Sequence, residues 1–367
     1  MSKGKEYLKF IIFLVILVAG LFATMNQVDK MKGGIAIVAS VVYLVMGFVL
    51  LIKGADYFVD GAAGIASKFG IPQIIIGLTI VAFGTSAPEA AVSISSGFKG
   101  AAGLAVGNVL GSNVMNILLI LGLAATITNL KVGVNTIWIE IPFVIIITGV
   151  LLVMGIINGE NPGINKACGL ILWGFFIIFF IYLIISAKNG KDAVENNGES
   201  EHKVSLPVAL LAIYVIAGMV AIVAGSNVTV DSASFIASKL GVTDRIIGLT
   251  VVAFGTSLPE LVTSCIAAKK GNADIAIGNI VGSNIFNILF VLGTTALVMP
   301  LKGEAFFVAP GIAFAKAFIV DGIAAIYAAV LLLLCCFKKK QLGKIAGIVM
   351  LVSYAIYFLC TIGIIKL

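Results

Sequence analysis

The stretch "AFGTSAPE", residues 82–89, sets two hydroxyls, a proline and a glutamate inside a run of Ile, Val, Ala and Gly that reads as lipid-buried. An ionisable group at that depth costs about 2.5–3.5 kcal/mol on insertion scales, so such residues usually mark a function. The stretch returns as "AFGTSLPE" at 253–260. At this offset of 171 residues, positions 77–122 and 248–293 align without a gap and 26 of 46 are identical. "AVGNVLGSNVMNILLILG" (105–122) falls on "AIGNIVGSNIFNILFVLG" (276–293), and "VDGAAGIASKFG" (59–70) on "VDSASFIASKLG" (230–241). The chain is one unit duplicated.

Apolar runs show how the copies are oriented. Candidate spans lie near 34–53, 72–96, 103–127, 135–157 and 166–187, then 206–226, 243–268, 274–298, 315–337 and 342–365. Each suits a hydrocarbon core that takes about 20 helical residues to cross. Five crossings per copy turn the second copy upside down. The expected fold is therefore an all-α polytopic membrane protein of two inverted-topology five-helix repeats, ten core helices, with its site near the midplane where the halves meet. The first repeat covers 34–187, a polar linker 188–205, and the second repeat 206–367. The runs at 34–53 and 206–226 are expected to continue as amphipathic helix through "FVDGAAGIASKFG" and "TVDSASFIASKLG". Residues 1–33 hold a further apolar run near 8–24, readable as a cleavable signal or a retained extra helix. The lack of a clean small-x-small cleavage site favours retention.

Composition agrees. The 367 residues are 60% hydrophobic and 11% charged, against roughly a quarter charged in soluble domains. The formal charge of +7 does not indicate nucleic-acid binding, because the lysines are scattered among loops rather than gathered on one face. Leaving aside Lys53 at the end of a span, Lys and Arg divide fourteen to nine on alternate sides, which puts the amino terminus and the linker in the cytoplasm. The linker's Asp192, Glu195, Glu199 and Glu201 lack EF-hand spacing and read as a solvated face. Five cysteines without a Cys-x-x-Cys pair sit in apolar runs as small hydrophobes, and the single histidine, His202, lies in the linker. That disfavours zinc, haem and His-based proton relays.

Within the repeated motif, helical spacing puts Thr85, Ser86 and Glu89 on one face. Pro88 removes the intrahelical donor of the Gly84 carbonyl, and Thr256, Ser257, Pro259 and Glu260 repeat the set. Oxygen-only ligands suit hard cations such as Na⁺ and Ca²⁺. On the next span, Asn108, Ser112 and Asn116 form a polar i, i+4 stripe, as do Asn279, Ser283 and Asn287. Gly107, Gly111, Gly278 and Gly282 allow a partner helix to approach, so the stripe can reach the carboxylate. A lone Gly-Ser-Asn cluster would be ordinary helix packing; two symmetric glutamates weigh for cation binding. Glu140 and Asp321 are weaker candidates, expected as symmetry partners near a membrane face. Asp60 and Asp231 are expected to cap helix ends or to meet Lys68 and Lys239.

The pair "GTSAPE…GNVLGSNVMN" and "GTSLPE…GNIVGSNIFN" resembles the two alpha-repeats of the sodium/calcium exchangers, in the prokaryotic type of the cation/calcium antiporter superfamily. The resemblance runs from about residue 34 to the end. It implies alternating access with a Na⁺ gradient driving Ca²⁺ the other way, in a multi-pass protein of the cell membrane. By position it makes Glu89 and Glu260 the central carboxylates, with backbone carbonyls from Thr85 and Thr256 and hydroxyls from Ser86 and Ser257. Ser112, Asn116, Ser283 and Asn287 complete the site, and the carbonyls of Ala82 and Ala253 serve Na⁺. Some relatives, potassium-dependent exchangers among them, carry Asp at the position of Asn287, where this chain has Asn in both halves, which argues against K⁺ co-transport. Proton/calcium relatives carry "GN" where this chain has "GTS", which favours Na⁺ over H⁺. The partners implied are the two ions and the lipid bilayer, with no cofactor and no obligatory protein partner.

Three rivals remain. An H⁺/Ca²⁺ or other divalent-cation antiporter would keep the fold and the site. A cation channel would more usually ring its carboxylates from several subunits. An enzyme using Ser86 or Ser257 as nucleophile would need a base that the spans do not supply, so no enzymatic activity is expected.

Overall fold

The computed structural model describes residues 34–98, 103–157, 163–197, 206–241, 253–299, 312–313 and 316–361. The amino-terminal apolar run and residues 242–252 lie outside the described residues. Among the described residues ten helices follow one another: α1 (Gly34–Phe69), α2 in two arms (Gln73–Thr85 and Ala87–Phe98), α3 (Gly103–Ile127), α4 (Thr136–Ile156) and α5 (Lys166–Asn197). The second half has α6 (Val208–Lys239), α7 in two arms (Ala253–Thr256 and Leu258–Lys269), α8 (Ala273–Val298), α9 (Lys316–Phe337) and α10 (Lys344–Thr361).

Helix α1 is one uninterrupted helix of 36 residues, about 54 Å at 1.5 Å per residue. That exceeds the roughly 30 Å core, so α1 must tilt or protrude. The sequence expectation for its continuation holds, and α6 matches it. Both stop at a glycine in the left-handed region, Gly70 at φ 62° and Gly241 at φ 83°, where a residue with a Cβ is strained. At the other end of the first half, α5 continues to Asn197, into the stretch read as linker.

Two short strand pairs fix the inversion. Leu130–Lys131, between α3 and α4, pairs antiparallel with Gln341–Leu342, between α9 and α10. Gly163–Ile164, between α4 and α5, pairs with Ile312–Ala313, between α8 and α9. Each pair joins loops that an inverted repeat places on the same membrane side, and the two pairs lie on opposite sides. A parallel duplication could not bring either pair of loops together.

The stripe-bearing helices are central. In the most apolar window of α8, 94% of residues are buried, and in that of α3, 72%, against 28% in α5 and α9 and 11% in α10. Helices α1 and α6 pack along a seam of glycines: a Cβ at Gly218 would lie 2.8 Å from the Gly54 carbonyl oxygen, and one at Gly225 the same distance from that of Gly47. Lysines tie the halves at the rims. Lys166 of α5 donates to the carbonyl oxygens of Leu297 and, at 2.7 Å, Met299 at the end of α8, where a cation complements the helix dipole.

The rim acids depart partly from expectation. Asp60 lies inside α1 and accepts from Lys270 at 2.7 Å, with Asp56 also 3.0 Å from that ammonium. Lys68 instead donates to the Leu206 carbonyl oxygen, and Lys239 stands over the Phe235 ring. The continuity of α1 places Asp60 opposite the end of α7 rather than at a helix end of its own. Glu140 and Asp321 do occupy matching places. Each sits on the fourth helix of its half and accepts from a tyrosine on the fifth, Tyr182 and Tyr357, at 2.9 Å in both cases. All five cysteines are free thiols.

Candidate cation-binding site

The prolines do what their chemistry demands. Helix α2 breaks at Ser86 (φ −82°, ψ 8°), and its two arms diverge by 53°. Ser257 breaks α7 in the same conformation (φ −94°, ψ 7°). Pro88 and Pro259 fall in the first turn of each second arm, where a missing N–H is tolerated. Glu89 and Glu260 fall in that same turn, so each carboxylate lies at a positive helix terminus.

The breaks meet at the centre. Glu89, Ser86, Glu260 and Ser257 are all between 0 and 1% exposed. Ser86 Oγ donates to Glu260 Oε1 at 2.7 Å, and Ser257 Oγ to Glu89 Oε1 at 3.0 Å. Each serine thus serves the carboxylate of the other half. Spacing had put Ser86 and Glu89 on one helical face, but the break turns Ser86 away from its own arm and across the two-fold relation.

The stripes of α3 and α8 close the sides. Ser112 Oγ lies 3.3 Å from Ser257 Oγ. Ser283 Oγ lies 3.5 Å from both Glu260 Oε1 and the Ala82 carbonyl oxygen. Thr85 Oγ1 donates toward Asn279 Oδ1 at 2.9 Å, with the Val81 carbonyl oxygen at 3.1 Å. Thr256 ends the short arm that starts at Ala253. Asn279 and Asn108 hold serines of their own halves, Ser264 at 2.9 Å and Ser93 at 3.0 Å, so these amides bind helix to helix.

The deepest contacts come from residues that sequence reasoning passed over. Asn113 Nδ2 donates to the Asn284 carbonyl oxygen at 3.1 Å, and Asn284 Nδ2 returns the bond to the Asn113 carbonyl oxygen at 3.2 Å. Asn116 Nδ2 donates to Asn284 Oδ1 at 3.0 Å, and Asn287 Nδ2 to Asn113 Oδ1 at 3.2 Å. Asn113 and Asn284 stand in the quoted repeats, and their identity in both copies was the available signal.

Of the nine buried side-chain oxygens that meet no hydrogen-bond partner among the described residues, four belong to expected site residues: Glu89 Oε2, Glu260 Oε2, Asn116 Oδ1 and Asn287 Oδ1. They form two symmetry pairs. Buried acceptors normally find donors; here a set of carboxylate and amide oxygens, ringed by hydroxyls, has the chemistry to coordinate a hard cation.

Comparison with known proteins bears on this geometry. The family model for "sodium/calcium exchanger protein" matches residues 39–185 and 210–363, one block in each half. The chain belongs to the sodium/calcium exchanger family. It is 37% identical over 321 residues to the putative antiporter CaxA of Alkalimonas amylolytica, covering 86% of this chain and 96% of that one. It is 34% identical to the sodium/calcium exchanger MaX1 of Methanosarcina acetivorans, covering 71% and 83%. Among solved structures it is similar to the sodium-calcium exchanger NCX_Mj soaked with 100 mM Na⁺ and 10 mM Sr²⁺, with a TM-score of 0.73 and 32% identity over 90% of this chain and 100% of the other. Membership makes this a multi-pass membrane transporter of the cation/Ca²⁺ antiport family.

Proposed function

We propose that this exchanger couples Na⁺ movement to Ca²⁺ movement in opposite directions, at the oxygen cage between the breaks of α2 and α7. The observation that carries the reading is the set of four buried acceptors without donors, two of them on glutamates. Glu89 and Glu260 are the ligands that carry charge. Ser86, Ser257, Ser112, Ser283, Asn116 and Asn287 supply neutral oxygens, and the backbones of Thr85, Thr256, Ala82 and Ala253 supply carbonyls.

The two ionised carboxylates balance one Ca²⁺, whose water shell the surrounding oxygens must replace. Two or three Na⁺ can use the same oxygens, but not while Ca²⁺ holds them, so occupancy is exclusive. Exclusive occupancy and alternate access are the minimum for antiport. A third Na⁺ makes the cycle electrogenic, worth about 2.3 kcal/mol per 100 mV for each net charge moved. The halves also differ in a way that suits one-sided access. Thr85 and Asn279 are 1% and 0% exposed, whereas their counterparts Thr256 and Asn108 are half-buried. By the helix count the closed pair lies toward the linker side, which the lysine bias assigns to the cytoplasm of a cell-membrane protein.

The test is Ca²⁺ uptake into proteoliposomes diluted into Na⁺-free medium. Uptake from Na⁺-loaded vesicles, and not from K⁺-loaded or acid-loaded ones, is the expected result. Uptake driven by acid loading would move the coupling ion to H⁺, and uptake without any counter-ion gradient would indicate a channel.

A further inference from the structure

The four asparagines at the contact of α3 and α8 have a polarity that geometry dictates. A backbone carbonyl oxygen can only accept. Asn113 bonds the Asn284 carbonyl and Asn284 bonds the Asn113 carbonyl, so both side chains must turn their NH₂ groups to the backbone. Their Oδ1 atoms then face the other way and can only accept. The groups they meet, on Asn287 and Asn116, must therefore be NH₂ donors. That leaves Oδ1 of Asn116 and of Asn287 turned away from the relay, buried and without a donor.

We infer that Asn113 and Asn284 are positioning residues: through this crossed amide relay they hold Asn116 and Asn287 with oxygen, never N–H, facing the ion. The inference rests on the cation reading above for its ligand. An asparagine free to rotate could turn its NH₂ inward, replacing attraction for a cation with repulsion. The relay removes that choice at two symmetric positions, using two main-chain carbonyls as the fixed reference. Since each Oδ1 that accepts belongs to the opposite half from the amide it orients, correct polarity also requires both halves to be docked. Asn113 and Asn284 are 1% and 0% exposed, so water cannot substitute readily for either partner.

A double-mutant cycle tests the relay. Asn113→Leu keeps the branched side-chain skeleton but removes the acceptor that orients Asn287, and should raise the half-saturating Ca²⁺ concentration about tenfold, the worth of one buried hydrogen bond. In an Asn287→Asp background neither outer atom of residue 287 can donate to Asn113 Oδ1, so the orienting bond is already gone and adding Asn113→Leu should raise half-saturation no further. An equal loss in both backgrounds, or no loss in either, would overturn the inference. Asn284→Leu with Asn116→Asp is the mirror cycle, available if the first variant does not fold. A readout that needs no ion is the side-chain amide NMR of ¹⁵N-asparagine-labelled protein in detergent. The Asn287 NH₂ protons should be protected from exchange in the wild type and exposed by Asn113→Leu. Unchanged protection would sink the relay even if uptake assays show no Ca²⁺ transport, whereas absent uptake with the expected NMR change would count against the transport reading alone.

Discussion

Glu89→Gln and Glu260→Gln are each expected to lower Ca²⁺ transport by roughly 10²- to 10³-fold, and the double variant to abolish it. The change is isosteric and removes one of the two charges that balance Ca²⁺ in a site where both carboxylates are 0% exposed. Removing one partner from a buried charge pair typically costs about 3–5 kcal/mol, and each 1.4 kcal/mol is about tenfold. The serine opposite each substitution keeps an acceptor, since the glutamine carbonyl can still take the bond from Ser257 or Ser86. The loss therefore belongs to charge rather than to packing. Thermal unfolding separates the two: Ca²⁺ at about 100 times its dissociation constant should stabilise the wild type by about 2.7 kcal/mol and should leave either variant unmoved. A variant that keeps wild-type transport would remove that carboxylate from the site.

Gly282→Leu is expected to be the most damaging substitution outside the carboxylates. A Cβ at Gly282 would lie 2.8 Å from the Cα and carbonyl oxygen of Leu78 and from the Ala82 Cβ. Two of those atoms are backbone and cannot rotate away, so α8 must move off the first arm of α2. One helical turn earlier, Gly278 is as tight: a Cβ there would lie 2.8 Å from the Ile74 carbonyl oxygen and 3.0 Å from the Gly77 Cα. Overpacking of this kind costs about 1–3 kcal/mol and sometimes more. Gly282→Ala should therefore lower the melting temperature and weaken transport, and Gly282→Leu should prevent recovery of folded protein by size exclusion. Gly174→Ala serves as the control, because a Cβ at Gly174 meets nothing within 4 Å among the described residues. Wild-type stability in Gly282→Leu would mean that α8 and α2 do not pack as described.

Much of this was legible in the sequence because its causes are local. A proline beside a glutamate frees a mid-span carbonyl, although the helical spacing assumed there missed the break at Ser86, and the motif's recurrence at a fixed offset with five spans per copy specifies inversion. The close approach of Gly278 and Gly282 to a partner helix was legible for the same reason. The counterparts of Ile74, Gly77 and Leu78, which symmetry assigns to Gly107 and Gly111, fall within residues 242–252, outside the described residues.

What the sequence hid is long-range or depends on helical phase. Ser86 pairs with Glu260 across 174 residues, and Lys270 with Asp60 across 210; no local spacing announces either. Asn113 follows Ser112 and on an ideal helix points about 100° off the polar stripe. The wider π turns that begin at Asn116 and Asn287 break the ideal spacing that the stripe assumed. Such turns are frequent at functional sites, and here they begin at the two amides whose oxygens remain unpartnered.

The central claim is that Ca²⁺ and Na⁺ compete for one cage built on Glu89 and Glu260, and equilibrium binding of radioactive Ca²⁺ to the purified protein across a Na⁺ titration tests it most directly. The account predicts an apparent Ca²⁺ dissociation constant that rises more steeply than in proportion to Na⁺ concentration, an unchanged maximum of bound Ca²⁺, and no specific binding in the Glu89→Gln/Glu260→Gln double variant. Ca²⁺ binding that is indifferent to Na⁺, or that survives loss of both carboxylates, would contradict it.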